Sequence, residues 1–433
     1  MAPAFFEQLL VQMRAAKVTF GERPLCPFLR PFFLTEAEEE RIRRVAETIA
    51  AIGERIVEAA LASPALLAEL GLSEEEIHLA RIEPGNKTAS TASRLDSFLL
   101  PDSFQFAEYN AESPAGPGYA EVLGGIFRGL DVMKRFEQRY RVRMHSSIEL
   151  VLAALLASYR EWGGTPAPPS IAIVDWREVP TWSEFEILRE NFERLGTPTI
   201  LCDPRDLEFD GRALTGTGRK IDLVYRRVLI NDIVARPAEC EALVEAYAAR
   251  AVCVANTFRC KIPHKKAFFA ILTDELYAAL FSAAERVMIA RHVPWTRRVV
   301  DARTTRHGKA IALLEHIRAH REELVLKPND EYGGSGVTLG WETSPAQWDE
   351  AIERALREHA SAWIVQERIA IRREVFPRFD GGEIRMGEML VDAAPFLFRG
   401  KLSGYLTRLS ATGLANVTSG GGQTPAFIVA PRA

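Results

Sequence analysis

The chain has 433 residues, 47% of them apolar and 26% charged, with a formal charge of −4. Such a composition fits an ordinary globular protein with room for two or three domains, and it excludes broad attraction to nucleic acid or to a membrane surface. No apolar run reaches the length of a membrane span. No secretory signal is read at the start, and the five cysteines are odd in number without a CxxC pair, so a reducing, cytoplasmic setting is expected.

Residues 1–80 read as mostly helical. Thr35 is a fair N-cap with acids after it, and Ile42, Val45, Ile49, Ile52 and Ile56 recur at helical spacing as one apolar stripe. Residues 94–110 then read as a hairpin, two apolar-rich runs around the turn-forming residues 101–103. With a register symmetric about Asp102, Asp96 faces Glu108 and Arg94 faces Asn110, and alternation puts all four on one face. Two carboxylates opposed across a ladder repel each other. A hard cation relieves that repulsion, and two carboxylates plus an amide oxygen suit Mg²⁺; an Arg beside them suits phosphate. On these residues alone, a surface hairpin with solvated acids explains the pattern as well. The loop 111–118, rich in Gly and Pro, is an exposed, shaped connection where ligand contacts are expected. Helical patterns resume to about Trp162.

Residues 163–170 mark a boundary. A strand at 171–175, a helix at 183–196 and strands at 198–202 and 221–225 predict a small parallel sheet ending near Val254. No glycine fingerprint follows its first strand, which disfavours a Rossmann cofactor site. From about residue 256 helices and strands alternate. An apolar strand delivers Lys327, followed by a loop with Gly333, Gly334 and Gly336 and by another apolar run. Glycines allow close backbone approach and an anion nest, and Lys327 supplies a point charge for phosphate. A plain glycine-rich hairpin turn is the competing reading. Ser344 and Pro345 open a helix with Trp348, Ile352 and Leu356 inward, and a strand over 362–369 carries Gln366 and Glu367, whose amide, carboxylate and free backbone groups suit an adenine edge.

The succession strand, Lys327, glycine loop, strand, helix, then a strand ending in Gln366 and Glu367 resembles the nucleotide-binding half of the ATP-grasp superfamily. In most members the acidic metal ligands follow these elements, whereas here Asp96, Glu108 and Asn110 precede Lys327 by more than 200 residues. That order resembles the circularly permuted branch, and the twelve positions from Asp96 to Glu108 look closest to the synthetase domain of the glutathionylspermidine synthase family. One departure is Glu112, where the family has Asp.

The resemblance implies an α/β, circularly permuted ATP-grasp fold: a helical region over 1–162 with the Mg-binding hairpin at 94–110, a small parallel-sheet domain over 163–255, and a nucleotide-binding region over 256–433. It implies Mg²⁺ on Asp96, Glu108 and Asn110, with Arg94 reaching the γ-phosphate. ATP would lie against Lys327 under a lid of Tyr332, Gly333, Gly334, Ser335 and Gly336, with adenine held by Gln366, Glu367 and Ile369. A second nucleotide lysine is expected at Lys266, or failing that Lys265. Arg399, Arg408 and residues 420–422 have the look of the family's active-site wall, and 416–422 of a substrate loop or a plain turn. The implied activity is ADP-forming carboxylate–amine ligation of small molecules through an acylphosphate, with Glu112 and Ser113 orienting the amine. A small-molecule kinase on the same scaffold, or a nucleotide-binding module without turnover, are the alternatives.

Overall fold

The computed structural model describes residues 2–21, 23–100, 103–331, 333–358, 362–380, 382–412 and 421–432. Near the N-terminus the helix Glu36–Leu61 starts at the expected cap. The Thr35 hydroxyl accepts the Glu38 N–H (3.2 Å), and the Glu38 carboxylate accepts the Thr35 N–H (2.7 Å), so two orphan donors of the first turn are satisfied reciprocally. Its stripe of Ile42, Val45, Ile49, Ile52 and Ile56 is wholly buried. The helix packs on the strands Glu383–Phe398 and Lys401–Ser410.

Those two strands belong to the largest sheet, an antiparallel one ordered Gly422–Thr424, Lys401–Ser410, Glu383–Phe398, Ala92–Leu99, Phe104–Asn110, with Arg373–Asp380 paired to Glu383–Phe398 as well. The 94–110 hairpin is therefore hydrogen-bonded to C-terminal strands, with Arg94 opposite Phe396 and Phe98 opposite Asp392. A division of the chain at residue 162 does not separate two sheets, because strands from both sides of it complete one.

The small parallel sheet is present, ordered Cys253–Ala255, Leu223–Arg226, Ile171–Val174, Thr199–Cys202. Both its faces are covered. Ile171 and Ile173 face the main core, while Ala172 and Val174 face a second apolar cluster. The strand expected at 221–225 lies at Leu223–Arg226, and Ile221 instead ends an antiparallel three-strand insert, Leu207–Phe209, Leu214–Gly216 and Arg219–Ile221.

A third sheet is antiparallel, ordered Thr296–Arg298, Trp363–Glu367, Leu324–Pro328, Thr338–Leu339. The helix Pro345–Arg357 buries Trp348, Ala351, Ile352 and Ala355 against Leu324, Leu326, Trp363 and Val365, with the Trp348 indole N–H donating to Ile317 O (3.0 Å). All five cysteines are buried free thiols, and burial pushes each up to about 12. Among the described residues no helix is long and apolar enough to cross a membrane.

Candidate active site between the hairpin and the glycine loop

The hairpin register pairs Asp96 with Glu108 and Arg94 with Asn110, as expected. Beyond them the register slips. Ser97 pairs with Phe106, so Ala107 is an extra residue and the strand bends there. Ala107 and Glu108 then line a cleft together with Asp96 and Arg408 on one side and Lys327, Gly333, Gly334, Ser335, Gln366, Glu367 and Ile369 on the other. Lys266 lines it too, 3.4 Å from Glu108 and donating to Glu331 O at 2.5 Å. Lys265 turns away and is buried on Glu76 and Asp330. Of the two lysines, Lys266 is the one that lines the cleft.

Lys327 donates to Gln366 Oε1 (2.7 Å) and to Ala107 O (3.3 Å). Burial pulls its pKa down to about 8 and nearby Lys266 pulls the same way, against Glu108 and Asp96. Gln366 is buried and holds Lys327 with its oxygen while its amide N–H reaches Thr296 Oγ1 (3.1 Å). Its side chain thus positions the lysine; Glu367 is engaged as well, its N–H on Trp295 O (2.8 Å) and its carboxylate by Arg306 (2.6 Å), while Ile369 lines the cleft beside them. In the glycine loop, Gly333, Gly334 and Gly336 all take positive φ (64°, 77° and 70°). A Cβ on Gly336 would stand 2.6 Å from Pro328 Cγ, so both conformation and space require glycine there. The root of the loop is pinned by Asn329, whose carbonyl accepts Lys266 N–H and whose side-chain oxygen accepts Ala267 N–H. Tyr332 and residues 413–420 lie outside the described residues, as do Pro101 and Asp102 of the hairpin turn.

Asp96 is 4% exposed and ion-paired on both oxygens, to Arg94 (2.8 Å) and to Arg408. Burial works against its charge, yet Arg408 and Arg94 prevail and hold its pKa well below the usual carboxylate range. Arg408 also donates through Nε to Asp392 (2.7 Å), a carboxylate with no exposed surface that accepts the Ser97 N–H (3.0 Å) on its other oxygen. Burial and Asp96 push Asp392 upward, with Arg408 opposing.

Glu108 Oε1 accepts the Asn110 amide N–H (3.1 Å). Among the described residues no group of three or more His, Cys, Asp and Glu is set for a metal; the hairpin set is two carboxylates and one amide. Its donor chemistry fits a hard cation, provided Arg408 gives up Asp96 and remains on Asp392.

Across Glu108, Gly333 and Arg408 the cleft meets a second chamber of about 380 Å³, within the range of small-molecule sites. Arg94, Asn110 and the loop residues Ser113, Pro114 and Ala115 line it. Arg94 donates to Ala115 O (2.9 Å), so it stands toward the chamber and ties the loop to the hairpin. Glu112 also borders it but is 1% exposed. Its oxygens accept Ile230 N–H, Arg226 (3.3 Å) and Lys261 (3.2 Å), and Lys261 and Arg226 hold its pKa down to about 2 against burial. That engagement gives Glu112 a structural place, in contrast to the amine-orienting one expected for it. His264, beside it, is pushed down to about 4 by burial and stays neutral. Arg399 pairs with Glu161 and Ser158, away from both cavities.

No family model matches the chain. A Frankia alni protein named "Putative glutamate–cysteine ligase 2-3" is 27% identical over 251 residues, covering 54% of this chain and 27% of that protein. An uncharacterized protein of Mycobacterium tuberculosis is 32% identical over 129 residues, 28% of this chain and 22% of that one. The chain thus spans about a quarter of the length of the curated relatives it matches. Among solved structures, a glutathione synthetase-like effector from Globodera pallida in the apo form covers 98% of this chain and 97% of its own, with a TM-score of 0.60 at 10% identity. The fold is therefore of the glutathione synthetase-like kind.

Proposed function

We propose that the protein is an ATP-dependent, ADP-forming carboxylate–amine ligase on a circularly permuted ATP-grasp scaffold, like the synthetase domain of glutathionylspermidine synthases. The observation that carries this reading is the convergence, in one cleft, of elements far apart in the chain. Hairpin carboxylates, two lysines, a positive-φ glycine loop and the strand end at Gln366 and Glu367 all line it, and it adjoins a second chamber. The name of the Frankia relative, for the part it shares, agrees with a ligase.

In this reading Lys327 and Lys266 bind phosphate oxygens, the glycine loop closes over them with its N–H groups, and the apolar residues beside Glu367 to Ile369 take the adenine. Asp96, Glu108 and Asn110 would hold Mg²⁺, which when bound neutralises charge developing on the phosphates. A substrate carboxylate in the second chamber attacks the γ-phosphorus, forming an acylphosphate and ADP. An amine then attacks the acyl carbon and phosphate leaves. Arg94, in the second chamber, and Arg408, at the junction of the cavities, offset the charge of the transferred phosphoryl group. No side-chain nucleophile is needed, in keeping with thiols that burial keeps protonated.

ADP release from Mg·ATP should be measured across amino acids, small peptides and polyamines, with Lys327→Ala and Asp96→Asn as controls. Amine-dependent ADP release with an amide product, lost in both variants, is expected. A phosphorylated hydroxyl product would instead make it a kinase, and nucleotide binding without ADP under every acceptor would make it a binding module.

A further inference from the structure

The second chamber carries a pair of opposite charges that the protein itself leaves incompletely matched. Asp175 and Arg227 directly follow the adjacent parallel strands Ile171–Val174 and Leu223–Arg226, and so stand at the carboxyl edge of the sheet, where ligands of parallel sheets commonly bind. Backbone bonds fix both positions: Asp175 N–H donates to Cys202 O (3.1 Å) and Arg227 N–H to Val174 O (2.9 Å). The two residues are 8% and 3% exposed, and both line the chamber.

Despite their proximity no ion pair within 4 Å joins them. The Asp175 carboxylate accepts only the Trp176 N–H (2.9 Å), on one oxygen. Arg227 donates through Nη1 to Pro114 O (2.7 Å) and the Tyr225 hydroxyl (3.1 Å) and forms a long ion pair with the buried Glu184 (3.8 Å); its Nε is buried with no partner. Asp232, in the helix Ile230–Ala235, lines the same chamber. Burial pushes Asp175 up to about 6; Arg227, the Trp176 N–H and Arg226 oppose this and Asp232 adds to it. Buried charges with unused hydrogen-bonding capacity are costly unless a ligand completes them. A ligand that completes both would carry an ammonium and a carboxylate close together.

We propose that Asp175 and Arg227 form a recognition site for an α-amino acid head group, the ammonium on Asp175 and the carboxylate on Arg227. A polyamine would set a positive charge against Arg227, and a dicarboxylate would set a negative one against Asp175 and Asp232. The place of this site in catalysis rests on the ligase reading, in which the head group belongs to either the acid or the amine substrate. ADP released with the compound and Mg·ATP alone marks the acid, and ADP released only with a second compound present marks the amine.

The test is calorimetric titration of the full chain with L-amino acids and dipeptides at millimolar concentration, with and without Mg²⁺ and a non-hydrolysable ATP analogue. Each compound that binds is compared with its N-acetyl and its α-carboxamide forms. We expect each block to weaken binding by about tenfold or more, the loss of one charged hydrogen-bonded contact. Asp175→Asn should erase the preference for a free ammonium, and Arg227→Lys should reduce the preference for a carboxylate over a carboxamide. The blocked compounds test wild-type protein, so the result does not hang on a variant that folds. Indifference to both blocks, tighter binding of spermidine than of any amino acid, or no amino acid or dipeptide bound at all would overturn the assignment. Failure of the nucleotide analogue alone to bind would sink the ligase reading and leave the head-group site judged by the nucleotide-free titration.

Discussion

The hub around Glu112 and the hairpin face around Asp96 bury similar side chains to similar depth, but the two clusters are completed differently. In the hub, Lys261 bonds Glu112 (3.2 Å) and Asp330 (2.8 Å), Lys265 bonds Glu76 (2.8 Å), and Arg226 closes the far side of Glu112. Every charge meets an opposite one inside the protein, and the network joins the glycine-loop root to the 111–118 loop. At the hairpin, Lys327 is charged at a cost, Glu108 faces the cleft beside it, and Arg408 is shared between two acids. Complete pairing holds elements together; incomplete pairing leaves charge for a ligand to use.

The largest expected effect tests the hub. Glu112→Gln should lower the unfolding free energy by about 3–5 kcal/mol, because it leaves the buried Arg226 without an opposite charge and leaves Lys261 to Asp330 and Glu76 alone. Urea denaturation measures this. An unchanged stability with lost amine dependence would return Glu112 to the chemistry and erase the contrast. Next, Lys327→Met should reduce ADP formation by about 10²–10³-fold while leaving stability equal or higher, since it removes a charge that burial disfavours. A large loss of stability would place Lys327 with the hub.

The pH dependence sharpens the same point. Burial draws the pKa of Lys327 in the folded protein down to about 8, from an ordinary lysine value of 10.5. Between those values the unfolded chain holds more protons, so this group makes stability rise with pH. Nucleotide affinity should move the other way, falling by up to about tenfold per pH unit above 8, and Lys327→Arg should remove that fall. Titrating the nucleotide from pH 7 to 10 on both proteins decides it. The smallest expected effect is at Asp392. Asp392→Asn lets Arg408 settle on Asp96 and should weaken Mn²⁺ binding, followed by its paramagnetic signal, by about tenfold. Unaltered Mn²⁺ affinity would mean that Arg408 does not compete for Asp96.

The parts of this site that could be read in the sequence are those held by local pattern. Alternation around a turn was enough to face Asp96 with Glu108 and Arg94 with Asn110, and a strand followed by glycines marked Lys327 and its loop. The bulge at Ala107 was hidden because a single extra residue leaves no compositional trace. Asp392 and Arg408 are separated from Asp96 by about 300 residues, and only the sheet order joins them. Glu112 looked free in a polar loop because its partners, Lys261 and Arg226, come from elements far downstream. Arg226 and Arg227, two arginines ending an apolar strand, were a signal in plain view: a buried strand seldom ends in paired cations without partners to receive them.

The sheet order also bears on how the site is made in the cell. The hairpin strand Ala92–Leu99, already paired with Phe104–Asn110, finds its second neighbour only when Glu383–Phe398 has been synthesised. During translation that edge stays unpaired and open to wrong partners until residue 398 has emerged. Nascent chains arrested before residue 398 should therefore be chaperone-dependent and unable to retain nucleotide, even though most of the cleft-lining residues have already emerged.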